Sequence, residues 1–377
     1  MHNFLRRPVK CIETVLPQKG PIKSKECCKV KGTISLLAVF FVLLLLLPCL
    51  GLGGSSANST SSNSSHTTAS ASSSAASSAS SPKPSTASTA ATAKVSGKTF
   101  RILDKASSTV LTVDELDFVR GTVATEMSPD SPQEALKAQT VAAYTYYSRL
   151  RQQQKQKPDS TLQGADFSCD TGKWLIYVTN DQMKAKWKED YTKFYNNLAP
   201  AVESVYGKVL RSGNDLIDAT YYAISSGRTE DAANVWGTAS PCLSPVASPA
   251  DIYAPGYLST VQMSSAQFQS AAAGLGCTLS GDASTWVGDM KRTESGMVTS
   301  MQLGGKSVKG TDARTAFGLR SANFSVTYAN GNFTFSVKGY GHGVGMSQTG
   351  AVSMAEQGEP YTRILSWYYP GSSLTAV

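Results

Sequence analysis

The stretch Gly339-Tyr340-Gly341-His342-Gly343-Val344-Gly345-Met346-Ser347-Gln348-Thr349-Gly350-Ala351 decides how this 377-residue chain is read. It packs five glycines and holds the only histidine after residue 97. Glycine at every second position removes side chains and permits φ > 0, so backbone approaches a partner closely. Alternating Gly with His, Val and Met suggests a strand-like floor with selected side chains standing on it. The competing reading is a tight bulged turn that packs backbone against backbone. A phosphate loop is excluded, because both the Gly-x-Gly-x-x-Gly order and the Gly-Lys-Ser/Thr ending are absent.

Far upstream, residues 1–33 form a short basic tail. Eight Lys and Arg stand there against Glu13 and Glu26, which gives +6 of the formal +8. The high pI therefore belongs to the tail and does not argue for nucleic-acid binding. Residues 34–52, Ile34 to Leu52, are almost unbroken apolar sequence without a charge. That reaches the roughly 20 residues a helix needs to cross a bilayer. Lysines before it and none directly after it set the N-terminus in the cytoplasm. A cleaved signal peptide is the rival, but its apolar core is usually about 7–15 residues long. An uncleaved anchor in the cell membrane is expected. Residues 53–97 are almost wholly Ser, Ala and Thr, which offer nothing to bury; they read as a disordered spacer.

Residues 98–377 have globular composition, enough for one large domain or two small ones. Three cysteines lie in this part, Cys169, Cys242 and Cys277, and an odd count argues against a disulfide framework. Thr112-Val113-Asp114-Glu115 reads as a capping box before a helix over Val113–Met127. Leu116, Val119 and Val123 recur on one apolar stripe, and Glu126 continues it. A carboxylate on the buried side of a helix is unusual. Desolvation would raise its pKa and keep it protonated near neutrality, as a general acid requires. The alternative is a glutamate that curls out at a frayed helix end or pairs with a basic group. Ser131-Pro132-Gln133-Glu134 predicts a second capped helix to about Gln153, on which Gln139 and Tyr144 face either a cleft or the core edge.

Asp166–Thr171 reads as a loop and Gln182–Leu198 as a helix. Residues 202–210 and 217–223 alternate around Gly213-Asn214, a hairpin pattern. It delivers Ser225-Ser226-Gly227-Arg228-Thr229-Glu230 at a strand end. Small residues, hydroxyls and a forked cation suit sugar or carboxylate recognition; a solvated turn with Arg228 and Glu230 paired is the plainer reading. Pro241–Pro255 is loop-like, Thr293–Gln302 a strand, and Phe324–Val337 a hairpin about Asn330-Gly331. Ser347–Gln357 and Tyr361–Tyr369 read as helices.

Together these pieces carry a family resemblance. Glu126-Met127 followed by Glu134–Ala143 resembles the opening motif of the stage II sporulation protein D (SpoIID) family. Ser226-Gly227-Arg228-Thr229-Glu230 with Val235-Trp236-Gly237 resembles the middle motif. Gly341–Gln348, Gly350-Ala351, Met354-Ala355 and Tyr368-Tyr369-Pro370-Gly371 resemble the closing one. The resemblance covers about residues 100–377. It implies an α+β catalytic domain with one central cleft, floored by Gly341–Gln348 and flanked by the Glu126 helix and the Arg228 loop. It implies a peptidoglycan lytic transglycosylase, which cleaves MurNAc–GlcNAc bonds and leaves 1,6-anhydro ends. Such a family member acts during engulfment in sporulation, on glycan strands stripped of stem peptides, with a cell-wall amidase and other membrane proteins as partners. The implied catalytic acid and base is Glu126. Gln139, Arg228, Thr229, His342, Ser347 and Gln348 are expected to bind or position sugar, with His342 alternatively structural. A second reading also follows: relatives named as amidase enhancers imply a glycan-binding activator of a separate amidase. The chain departs from the family at Tyr144, where Arg is frequent. Part of the family carries a His/Cys metal site near the position of Cys169, but no His or second Cys stands nearby here. No metal and no cofactor are expected.

Overall fold

A computed structural model describes residues 96–240 and 242–377. The basic tail, the apolar run 34–52 and nearly all of the spacer 53–97 lie outside the described residues. Among the described residues, no helix is long and apolar enough to cross a membrane.

The chain opens with β1 (Thr99–Asp104) and β2 (Thr109–Asp114), an antiparallel pair. α1 (Glu115–Glu126) follows without a loop. Its cap is Asp114, whose carboxylate accepts the N–H groups of Leu116 and Asp117. The expected Thr112 cap is displaced because Thr112 sits in the β1–β2 ladder opposite Arg101. α2 (Gln133–Gln156) is the long central helix. Its expected Ser131 cap does not form, since Pro132 holds the cap position without a side-chain bond. Glu134 instead accepts the N–H of Tyr361, far along the chain, and pairs with Lys137.

β3 (Phe167–Cys169) was expected to be loop; it pairs parallel with β1. α3 (Asn180–Trp187) and α4 (Tyr191–Val205) replace the single helix expected over 182–198. α4 also takes the segment read as the first hairpin strand. Its apolar residues Leu198, Ala201, Val202 and Val205 are spaced for a helix and are buried. β4 (Lys208–Ser212) and β5 (Asp215–Leu216) do close a hairpin at Gly213-Asn214. β6 (Tyr221–Tyr222) and α5 (Ala232–Trp236) bracket the Arg228 loop.

A second layer is built from β7 (Leu258–Ser264), α6 (Ser265–Gly274), β8 (Val287–Arg292), β9 (Val298–Leu303), β10 (Lys306–Lys309), α7 (Gly310–Ala316), β11 (Phe324–Ala329) and β12 (Asn332–Lys338). It forms two three-stranded sheets, β10-β9-β8 and β11-β12-β7. Its own apolar cluster centres on stacked Phe268 and Phe333, with ring centroids 3.8 Å apart. Finally β13 (Met346–Ser347), α8 (Gln348–Glu356), α9 (Tyr361–Tyr368) and β14 (Ser373–Ala376) return to the first layer. Two further apolar clusters pack against α2. The mixed α+β class expected from the sequence is what forms.

Cys169, Cys242 and Cys277 are all buried free thiols. Cys242 and Cys277 belong to different apolar clusters. Burial, with Asp104 beside it, pushes the Cys169 thiol up to about 11. Among the described residues no group of three or more His, Cys, Asp or Glu could hold a metal ion.

Candidate active site

The Gly-rich stretch is mostly loop, with Met346 and Ser347 alone in strand, pairing parallel with Tyr221 and Tyr222. Both readings of its glycines meet here. Gly345 has φ +81°, and a Cβ there would lie 2.1 Å from the Thr220 carbonyl oxygen. Gly341 has φ +117°, and a Cβ would lie 2.6 Å from Tyr222 Cβ. The stretch is therefore a turn packed backbone to backbone on β6, and its last residues deliver side chains to a polar centre.

That centre is formed by Glu126, Gln139 and Gln348. Leu116, Val119 and Val123 of the α1 stripe are buried, and Glu126 ends the stripe partly exposed. Gln348, the first residue of α8, donates its amide Nε2–H to Glu126 Oε2 at 3.4 Å and to Gln139 Oε1 at 3.4 Å. Gln139 is fully buried on α2, and its own Nε2 has no hydrogen-bond partner. Burial raises the Glu126 carboxyl to about 7, with the Gln348 bond pulling the other way. The α1 C-terminus, where helix carbonyls point, also disfavours a negative charge. A carboxyl with that pKa gives and takes a proton at neutral pH without a second titrating partner.

The other end of the stretch lines a different hollow. Gly341, His342 and Gly343 stand there with Ser226, Arg228, Glu230 and Ser295. Beyond it a hollow of about 350 Å³ runs between Arg228, Glu230, Asn234 and Thr293. Arg228 is exposed and pairs with Glu294 at 3.4 Å, not with Glu230. Glu230 is buried and accepts bonds from Asp231 N–H, Asn234 Nδ2, Thr293 Oγ1 and Ser295 Oγ. It ties the Arg228 loop to the second layer.

Three of the expected sugar contacts are engaged within the fold. The Thr229 hydroxyl accepts the Val246 N–H at 2.8 Å, and the residue is buried. The Ser347 hydroxyl donates to Asp251 Oδ2 at 2.6 Å and accepts the Gly350 N–H. His342 bonds the Tyr221 carbonyl through Nε2 and accepts the Val344 N–H on Nδ1. Burial, then the charge of Arg314, lowers its pKa to about 3. It is a neutral imidazole bracing the turn against Tyr222 and Trp236. Sequence reasoning thus brings Glu126, Gln139 and Gln348 to one centre and places Arg228 at a second. It missed Asp251, a lone acid in a proline-rich loop with no periodicity to mark it.

The departure at Tyr144 also has a place. Its hydroxyl donates to Glu115 Oε2 at 2.7 Å, and Arg151 pairs with the other oxygen. The position serves a buried ion pair at the start of α1.

Comparison with known proteins agrees with these motifs. The stage II sporulation protein family profile, SpoIID, matches residues 104–211. Stage II sporulation protein D of Bacillus amyloliquefaciens is 38% identical over 260 residues, covering 69% of this chain and 73% of that protein. Its namesake from Bacillus subtilis is 34% identical, covering 75% and 80%. The amidase enhancer of Bacillus subtilis is 28% identical over 68% of this chain but only 40% of its own length. The chain belongs to the SpoIID family of sporulation proteins.

Proposed function

We propose that this SpoIID-family protein is a peptidoglycan lytic transglycosylase with Glu126 as its single acid and base. The observation that carries the reading is the Glu126 carboxyl, raised to about 7 by burial and touched, among the described residues, by a neutral amide. Hydrolytic glycosidases divide acid and nucleophile or base between two carboxylates. A lytic transglycosylase needs one. Glu126 first protonates the glycosidic oxygen as the MurNAc–GlcNAc bond breaks. Its carboxylate then accepts the proton of the MurNAc 6-hydroxyl, whose oxygen bonds to C1 and closes the 1,6-anhydro ring. No water is consumed and Glu126 ends protonated, as it began. Gln348 holds the carboxyl in place. The unpartnered Gln139 amide is a buried donor that a sugar oxygen would satisfy.

Glycan strands stripped of stem peptides are the proposed substrate, during engulfment, beside a cell-wall amidase and membrane partners. The apolar run 34–52 is the proposed anchor in the cell membrane, with a cytoplasmic N-terminus and the catalytic domain outside. A second reading, a glycan-binding activator of an amidase, is favoured by the similarity to the relative named amidase enhancer. Full-length chain incubated with amidase-treated peptidoglycan separates them by mass spectrometry. Anhydro-MurNAc ends support the transglycosylase. Binding without cleavage, joined to faster release of stem peptides by an added amidase, supports the activator. Reducing ends would make it a hydrolase.

A further inference from the structure

Asp251 is a fully buried carboxylate that the chemistry above does not use. It lies in the short 3-10 turn Pro249–Tyr253. Its Oδ2 accepts two bonds of 2.6 Å, from the Ser225 N–H and the Ser347 hydroxyl. Ser225 opens the loop that carries Arg228. Ser347 caps α8 and directly precedes Gln348. One carboxylate oxygen therefore holds the two motifs that flank the polar centre.

Among the described residues no cation acts on this carboxylate. Burial raises its pKa above the ordinary carboxylate value, and the Ser225, Ser347 and Ser248 donors pull it back down, with the Tyr368 hydroxyl bonded to Ser248 close by. A Cβ on Gly350 would lie 1.9 Å from the Tyr368 hydroxyl, 2.3 Å from Ser248 Oγ and 3.1 Å from Asp251 Oδ1. The first turn of α8 thus rests directly on this group. A carboxylate buried without a cation costs stability, and an apolar side chain would fill the space more cheaply. What the charge adds is short, directional bonds, about twice as strong as neutral ones. The Ser347 hydroxyl, donating to Asp251 and accepting from Gly350, is held from both sides in one rotamer. The next side chain along is the amide on Glu126.

We infer that Asp251 is a positioning residue, which grips Ser225 and Ser347 together and so fixes the Gln348 amide against Glu126. Its effect on rate rests on the transglycosylase reading; its effect on the Glu126 carboxyl does not.

The test titrates Glu126 in full-length chain labelled with ¹³Cδ-glutamate, as wild type, Asp251→Asn, Gln348→Ala and the double variant. The Gln348 bond holds the Glu126 midpoint down, so Gln348→Ala raises it. Asp251→Asn is expected to raise it in the same direction, and the double variant to add nothing beyond Gln348→Ala. On denuded strands Asp251→Asn is expected to lose roughly 10- to 100-fold in kcat, the scale of a small misplacement at a reacting centre. An unmoved Glu126 midpoint in Asp251→Asn, or two shifts that simply add, overturns the inference. Where Asp251→Asn does not fold by circular dichroism, Ser347→Ala carries the same test, because it cuts the link and leaves the acid in place. A wild type that releases no anhydro ends defeats the transglycosylase reading alone, and the titration still decides the role of Asp251.

Discussion

The two ends of α1 each carry a glutamate, and their surroundings are opposite. Glu115 is fully buried. It accepts bonds from Arg151, from Tyr144 at 2.7 Å and from Tyr206 at 3.1 Å. Glu126, at the other end, has one neutral donor at 3.4 Å. A cation and two hydroxyls surround the carboxylate at the first end; at the second, burial raises the carboxyl pKa. On the proposed reading, one helix holds a structural carboxylate and a proton-transferring one. What surrounds each decides which is which; depth alone does not.

Glu126→Gln is the sharpest way to break the contrast. It is expected to lower anhydro-MurNAc release by roughly 10²–10⁴-fold, the usual weight of a general acid–base group, while circular dichroism stays that of the wild type. Glu115→Gln should do the reverse. It leaves Arg151 facing a neutral partner and is expected to cost about 3–5 kcal/mol in denaturant unfolding, with the pH dependence of the remaining activity unchanged.

The same contrast makes a prediction about pH. The folded chain holds the Glu126 proton more tightly than the unfolded chain, so this group lowers stability as pH climbs from about 4.5 through about 7. Glu126→Gln removes that loss. The variant is expected to melt higher than wild type at pH 8 and equally at pH 4; a gain at both would point to packing instead. In wild type, cleavage should fall off above about pH 7 as the acid ionises, and Gln348→Ala should move that limb to higher pH. The smallest expected effect is Tyr144→Phe, which deletes one of three donors to Glu115 at about 1 kcal/mol and leaves the activity limb alone.

Sequence periodicity put Glu126 at the end of the α1 stripe, where the structure has it, because the stripe of Leu116, Val119 and Val123 is a local property of one helix. The caps were less legible. Thr112 is drawn into a ladder with Arg101, and Glu134 reaches the Tyr361 N–H, 227 residues away. Tertiary partners decided both. Residues 202–205 of the strand expected over 202–210 became the end of α4 because a short apolar run fits either period. The expected floor of sugar contacts divided for a similar reason. Gln348 and Ser347 are neighbours, yet at a helix start one side chain faces Glu126 and the other faces Asp251. Asp251 itself is illegible from a window of any ordinary length, since its partners lie 26 and 96 residues off.

The most direct measurement is the titration of the Glu126 carboxyl in the wild-type chain, assigned by subtracting the Glu126→Gln spectrum. A midpoint near 7 is the expected result. A midpoint at the ordinary carboxylate value, about 4.5, would contradict a proton-transferring role for this end of α1.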